Sequence, residues 1–235
     1  MRGLFVTGTG TGVGKTVVAG ALAAGMRARG WRVAVFKPVL TGVQEASPAG
    51  WPRDDELLAA AAGVSTAGVT LRRYGPPVSP HLAAELAGES ISLDALVAAA
   101  RRVARDADVL VVEGVGGLLV PLGAGISVRD LACALGFGVV VAAGPGLGTI
   151  NHTLMTLEVA RRAGLDVRGV ALSPWPAEPT LMHESNRDTI AARGVVGVAC
   201  LPEASAGSPA ELLRISRDLP LEDWLGPSPL ADGLA

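Results

Sequence analysis

The stretch "VTGTGTGVGKTVVAGAL" constrains this chain more than any other part of it. A short apolar run, "GLFVT" (Gly3–Thr7), leads into glycines at Gly8, Gly10, Gly12 and Gly14; Lys15 and Thr16 then open a run of helical composition. Strand, glycine turn and helix in that order expose backbone N–H groups at a helix start, where the dipole adds partial positive charge. A lysine at the position of Lys15 reaches β- and γ-phosphates, and a hydroxyl at Thr16 ligates Mg2+. The strict spacing G-x-x-x-x-G-K-[ST] needs glycine where Thr9 stands; the leading glycine is Gly8, one residue early. The lysine and threonine favour a nucleoside triphosphate over a dinucleotide. Gly12, Val13, Gly14, Lys15, Thr16 and Val17 are therefore the expected nucleotide-binding run. Thr11 reads equally as a turn residue or as a phosphate or substrate contact.

Downstream, Val-rich runs alternate with Ala/Leu/Arg stretches of helical length. Strands are expected at "RVAVFK" (Arg32–Lys37), "VLVVEG" (Val109–Gly114), "GVVVAA" (Gly138–Ala143), "VRGVAL" (Val167–Leu172) and "VVGVAC". Helices are expected at "DELLAAAAG", at "SLDALVAAARRVARDA" with Ser92 as N-cap, at "TINHTLMTLEVARRAG" and at "LMHESNRDTIAARG". This alternation predicts an α/β fold, a doubly wound, mostly parallel sheet of the P-loop NTPase type. The 235 residues suit one domain, with the segment after Pro202 (about residues 203–235) expected at its periphery. In such sheets ligands sit beyond the carboxyl ends of the strands.

Two charged residues lie at such ends, and two acids open a helix nearby in sequence. Lys37 closes an apolar strand in "VAVFKPVLTG" and brings a second cation to the crevice, with Thr41 and Gly42 in the following loop. Glu113 ends "VLVVEGVGG"; a carboxylate there needs a partner, and Mg2+ is one. Asp54 and Asp55 open a helix in "RDDELLAAAAG", where acids are ordinary dipole partners; spacing alone does not choose between them as a metal ligand. "GLGTINHTLMTLE" puts free N–H groups at another helix start, suited to a second anion such as a carboxylate. His152, inside that helix, reads as a packed or capping residue before a base.

The formal net charge of −2 offers no basic field for nucleic acid. No apolar stretch is long enough to span a bilayer. Only seven residues precede the glycine turn, too few for a signal peptide, so a cytoplasmic protein is expected. Cys133 and Cys200 show no metal spacing and read as buried residues.

Together "VTGTGTGVGKT", "KPVLTG", "SPH", "VVEGVGGLLVPL" and "GLGTINHTLMTLE" resemble the dethiobiotin synthetase family in order and spacing. The resemblance covers about residues 1–172 and fades in the tail. It implies a homodimeric P-loop enzyme that uses ATP and Mg2+. Carbon dioxide adds to an amine of 7,8-diaminononanoate, the carbamate takes the γ-phosphoryl group, and the neighbouring amine closes a cyclic urea. By resemblance Lys15 binds phosphate and Thr16, Asp54 and Glu113 hold the metal. Lys37 and Thr41 meet the diamine and carbamate, and Thr11 lies near the reacting groups. The amides of Thr149, Ile150 and Asn151 bind the substrate carboxylate of a neighbouring subunit. Two positions depart from the family: Gly12, where some members carry Glu, and Ser173 in "VALSPWP", where some read adenine with Asn. A partitioning-type ATPase switch would carry a signature lysine where this chain has Gly10. A related amidoligase such as cobyrinic acid diamide synthase would carry a glutaminase domain with its cysteine nucleophile, and no such domain is read here.

Overall fold

The structure is a computed structural model in which residues 1–45 and 50–226 are described. In chain order the strands are β1 (Arg2–Gly8), β2 (Val33–Leu40), β3 (Thr70–Arg73), β4 (Val109–Gly117), β5 (Pro121–Gly123), β6 (Ile126–Ser127), β7 (Gly138–Ala143), β8 (Val167–Trp175) and β9 (Val198–Pro202). The helices are α1 (Lys15–Ala28), α2 (Asp54–Ala62), α3 (Pro80–Leu86), α4 (Leu93–Val103), α5 (Val128–Leu135), α6 (Thr149–Arg162), α7 (Leu181–Gly194), α8 (Pro209–Ile215) and α9 (Leu221–Leu225). Seven strands make one sheet in the order β3-β2-β4-β1-β7-β8-β9, and β5 pairs with β6 in a separate antiparallel ribbon. Every pairing within the large sheet is parallel. This is the doubly wound α/β architecture that the alternation predicts.

Because side chains alternate along a strand, the sheet feeds two cores. Leu4, Val6, Val35, Val111 and Val140 join the core under α1 and α2. Phe5, Phe36, Leu110, Val112 and Val141 face the opposite core with α4 and α5. The short, half-exposed β3, the ribbon β5–β6, and helices α3 and α5 add to the expected elements. α5 is opened by a capping box in which Ser127 and Asp130 satisfy each other's backbone N–H groups.

The segment after Pro202 packs more closely than a peripheral piece would. Leu212, Ile215, Leu219, Leu221 and Trp224 are buried in the α1 core. Gly20 in α1 leaves room for Leu212, and Gly169 in β8 leaves room for the Trp224 ring; a Cβ at either would fall within 2.7 Å of those side chains. Residues 227–235 of that tail lie outside the described residues. Cys133 is exposed and Cys200 half-buried, so neither is the buried residue expected from composition.

β2 also runs past its expected end at Lys37. Pro38 lacks an N–H, but the β2–β4 ladder ends at Phe36↔Val112, while β3 continues to pair through Lys37, Val39 and Leu40. Proline falls where no ladder bond to β4 is required. Beyond that point Lys37 and Glu113 meet through their side chains, and a cleft begins.

Candidate active site

The cleft has a volume of about 800 Å³ and lies at the carboxyl ends of β2 and β4, over the start of α1. Thr11, Gly12, Gly14, Lys15, Thr16 and Val17 line one side, and Lys37, Thr41, Asp54 and Glu113 line the other. Gly14 is the N-cap of α1 in the left-handed conformation (φ 83°, ψ 17°), with no side-chain cap on the helix. Only glycine adopts that geometry cheaply, and a Cβ there would meet Ser173 Oγ at 3.2 Å. The first N–H groups of α1 therefore face the cleft without an internal acceptor. Val13 and Val17 anchor the loop by packing on the α1 core. Lys15 folds over the loop, its Nζ donating to the Gly10 carbonyl at 2.6 Å.

A cluster of charges lies beneath. Lys37 is 5% exposed and Glu113 1% exposed. Lys37 Nζ donates to Glu113 Oε1 at 2.7 Å and also to Asp54 Oδ2. Thr16 Oγ1 donates to the same Glu113 Oε1 at 2.9 Å. Burial opposes the charged form of Lys37, but the charges of Glu113 and Asp54, with their hydrogen bonds, outweigh it and raise the ammonium's pKa. Burial pushes the Glu113 carboxyl up, which Lys37 only partly offsets. Burial lowers the Lys15 pKa, and Glu113 counteracts it. At Asp54 burial would raise the carboxyl, yet Lys37 overrides it and holds the group below its ordinary value.

The neighbouring acid goes elsewhere. Asp55 is fully buried, and its Oδ2 accepts from Arg73 Nη2 at 2.6 Å and Nε at 3.0 Å. Consecutive helix residues point about 100° apart, so only one of the two acids faces the cleft. The tertiary fold brings Asp54 to Lys37 and Glu113, a choice the spacing leaves open.

Glu113 Oε2 is buried and has no hydrogen-bond partner. With Thr16 Oγ1 and Asp54 it offers hard oxygen donors of the type Mg2+ takes, the remaining positions falling to phosphate and water. Among the described residues no group of three or more His, Cys, Asp or Glu forms a metal cluster.

The structure does not bring every candidate into this cleft. Thr149 is buried at the start of α6, 3.4 Å from Thr153 Oγ1, while Asn151 is exposed and Ile150 half-buried on the same turn. None of the three lines the cleft. Ser173 lies under the glycine loop beside Gly14. Missed from sequence were Trp51 and Ser79, which also line the cleft, and Arg73, the partner of Asp55. Ser79 precedes Pro80 in the "SPH" motif, where proline at the first helical turn is a readable helix start. Arg73 ends a four-residue strand without an apolar run and gave no signal.

A glycine-capped helix start beyond a central parallel strand, with a lysine, a threonine, the strand acid Glu113 and the helix-start acid Asp54 around it, defines an α/β P-loop nucleotide-binding protein. A family model described as an AAA domain matches residues 2–210. An ATP-dependent dethiobiotin synthetase from Mycolicibacterium gilvum is 40% identical over 229 residues, 94% of this chain and 96% of that protein. One from Rhodococcus erythropolis is 41% identical over 231 residues, covering 97% and 98%. One from Rhodococcus jostii is 45% identical over 207 residues, 87% of each chain. The chain belongs to the dethiobiotin synthetase family, and the similarity runs well beyond the motifs within residues 1–172 into the tail.

Among the described residues no helix is long and apolar enough to cross a membrane.

Proposed function

We infer that this chain is an ATP-dependent ligase that forms dethiobiotin in biotin biosynthesis. The observation that carries the reading is the cluster of buried Lys15, Lys37 and Glu113 with half-exposed Asp54 at a glycine-capped helix start, in a chain 40% identical over 94% of its length to a named dethiobiotin synthetase.

In the proposed mechanism the γ-phosphate of ATP rests on the N–H groups of the Gly12–Val17 run, under Lys15. Thr16, Asp54 and Glu113 would hold Mg2+, which would supply positive charge against the phosphates. Carbon dioxide adds to one amine of 7,8-diaminononanoate, and the carbamate lies against Lys37, Thr11 and Thr41. A carbamate oxygen attacks the γ-phosphorus and ADP leaves. The second amine then attacks the carbamoyl carbon, the urea ring closes and phosphate leaves. Two anions must approach each other, so catalysis depends on cations and oriented dipoles more than on a proton relay. Lys37, charged and held between two carboxylates, fits that need. The substrate carboxylate is placed on the amides of Thr149, Ile150 and Asn151 of a second subunit, because α6 begins outside this chain's own cleft. The proposed assembly is a homodimer of single-domain subunits working in the cytoplasm without nucleic acid or membrane. Ser173, in place of an adenine-reading Asn, leaves the base loosely held.

Purified protein with diamine, labelled bicarbonate and MgATP should place label in an acid-stable cyclic urea, with one ADP per ring. Triphosphate left unconsumed, or label released by acid, overturns the reading. Glu113→Gln should raise the Mg2+ concentration needed for half-maximal rate; an unchanged titration would remove Glu113 from the metal site.

A further inference from the structure

Two adjacent acids open α2 and take cations from two adjacent strands. Asp54 pairs with Lys37 on β2, and Asp55 pairs with Arg73 on β3. β2 and β3 run parallel with Lys37 opposite Thr70 and Leu40 opposite Arg73, so the two cations stand at different heights on neighbouring strands. The first turn of α2 is thus held at two points. Asp55 is fully buried, and its second oxygen accepts the Glu56 backbone N–H at 3.1 Å and lies 3.5 Å from Arg53 Nε. Neither Asp55 nor Arg73 lines the cleft.

The Asp55 carboxylate is buried while the Arg73 side chain is 39% exposed, and desolvation of the acid offsets much of the pair's attraction, so the pair is a poor source of net stability. What such a pair does supply is a fixed geometry. Asp54 and Asp55 share one helical turn, so a rotation of α2 that moves one carboxylate moves the other. The Asp54 side chain is itself 41% exposed, and Lys37 holds it through one oxygen, Oδ2.

We propose that the Asp55–Arg73 pair is a positioning device that sets the rotation of α2 and so presents the Asp54 carboxylate to the divalent cation beside Thr16 and Glu113. This rests on the proposed metal role of Asp54. Partners that orient a metal ligand from behind change metal affinity by about 10-fold or more when removed.

The test is direct cation binding. The full chain, saturated with ADP, is titrated with Mn2+, and free Mn2+ is read by electron paramagnetic resonance. Asp54→Asn and Arg73→Met should each weaken Mn2+ binding about 10-fold. The double variant should be no weaker than Asp54→Asn alone, because Arg73 acts through Asp54. Arg73→Lys should recover part of the loss. A merely structural role would lower thermal stability without moving Mn2+ affinity. Parental affinity in Arg73→Met beside a weakened Asp54→Asn overturns the positioning role and leaves the metal reading standing. Additive losses in the double variant also overturn it. Parental affinity in Asp54→Asn overturns the metal reading and the positioning role with it. If Arg73→Met does not fold, Asp55→Glu, which keeps the charge pair and lengthens the acid by one methylene, replaces it with the same outcomes.

Discussion

Helices α1 and α6 begin alike and stand in different surroundings. Each has 14 residues, a left-handed glycine as N-cap (Gly14, φ 83°; Gly148, φ 92°), no side-chain cap and no acid in its first turn. Each therefore offers uncapped N–H groups and a positive dipole end. At α1 the chain folds Lys15, Lys37, Asp54 and Glu113 around that start and encloses it. At α6 the preceding Leu147 is 92% exposed and Asn151 is exposed. The backbone device sets the sign of the ligand, an anion in both cases. The side chains that neighbouring strands bring to it decide whether chemistry can follow. In the proposed function α1 carries the reacting phosphate and α6 only the substrate's remote carboxylate.

The largest effects should come from stripping the α1 surroundings. Lys15→Ala and Lys37→Ala should each lower turnover at least about 10²-fold, the scale for losing one group that stabilises developing charge. Near-parental turnover in a folded Lys37→Ala protein would make the buried cluster structural. Gly14→Ala and Gly148→Ala test the two caps against each other. Left-handed backbone costs a non-glycine residue about 1–2 kcal/mol, so both should lose that much stability in chemical denaturation. Only Gly14→Ala, whose Cβ would also press on Ser173, should weaken ATP binding, by about 10-fold; equal nucleotide affinities would erase the distinction.

Asn151→Asp adds a like charge at the α6 start. It should raise KM for the diamine about two- to five-fold and leave KM for ATP unchanged, as expected for one exposed charge near a helix dipole. A diamine lacking the carboxylate should not feel the substitution.

The smallest effect belongs to the opposite end of the sheet. There Arg32 donates to Asp108 through its guanidinium (Nη2–Oδ1 2.6 Å) and its backbone N–H (2.8 Å), joining the starts of β2 and β4. The guanidinium bonds first, and then the backbone bond, hold the Asp108 carboxyl down at about 2, against an ordinary 3.8. Between those values the unfolded chain binds more protons than the folded one, so stability rises with pH there. The contribution is fully present above about pH 4 and is lost as pH falls toward 2. Asp108→Asn should flatten that acid limb of the melting temperature and leave turnover at neutral pH untouched.

Much of the cleft is legible in sequence because its parts are local. The glycine turn with Lys15 and Thr16 is contiguous, and Lys37 and Glu113 each end an apolar run that reads as a buried strand. Other features depend on tertiary direction. Asp54 and Asp55 are adjacent and alike, and only the docking of α2 on β2 and β3 turns one to Lys37 and the other to Arg73. β3 escapes notice because "TLRR" is short, and two of its four residues are arginines. The packing of α8 depends on Gly20 admitting Leu212, a pairing 192 positions apart in the chain that no local pattern encodes. In contrast, the box that opens α5 was readable in "SVRDLACALG" as Ser127 three residues before Asp130.

The division of labour between α1 and α6 is tested most directly by mixing two subunits. One carries Lys15→Ala; the other carries Leu147→Asp with Asn151→Asp, which places two acids at the α6 start. Random pairing makes half the dimers mixed, and each mixed dimer holds one intact site if α1 and α6 act across the interface. Assayed with diamine well below the parental KM, where the KM effect of the added acids shows as lost rate, sites shared between subunits predict recovery to about a quarter of the parental rate. A mixture that stays at the level of its two parents contradicts them.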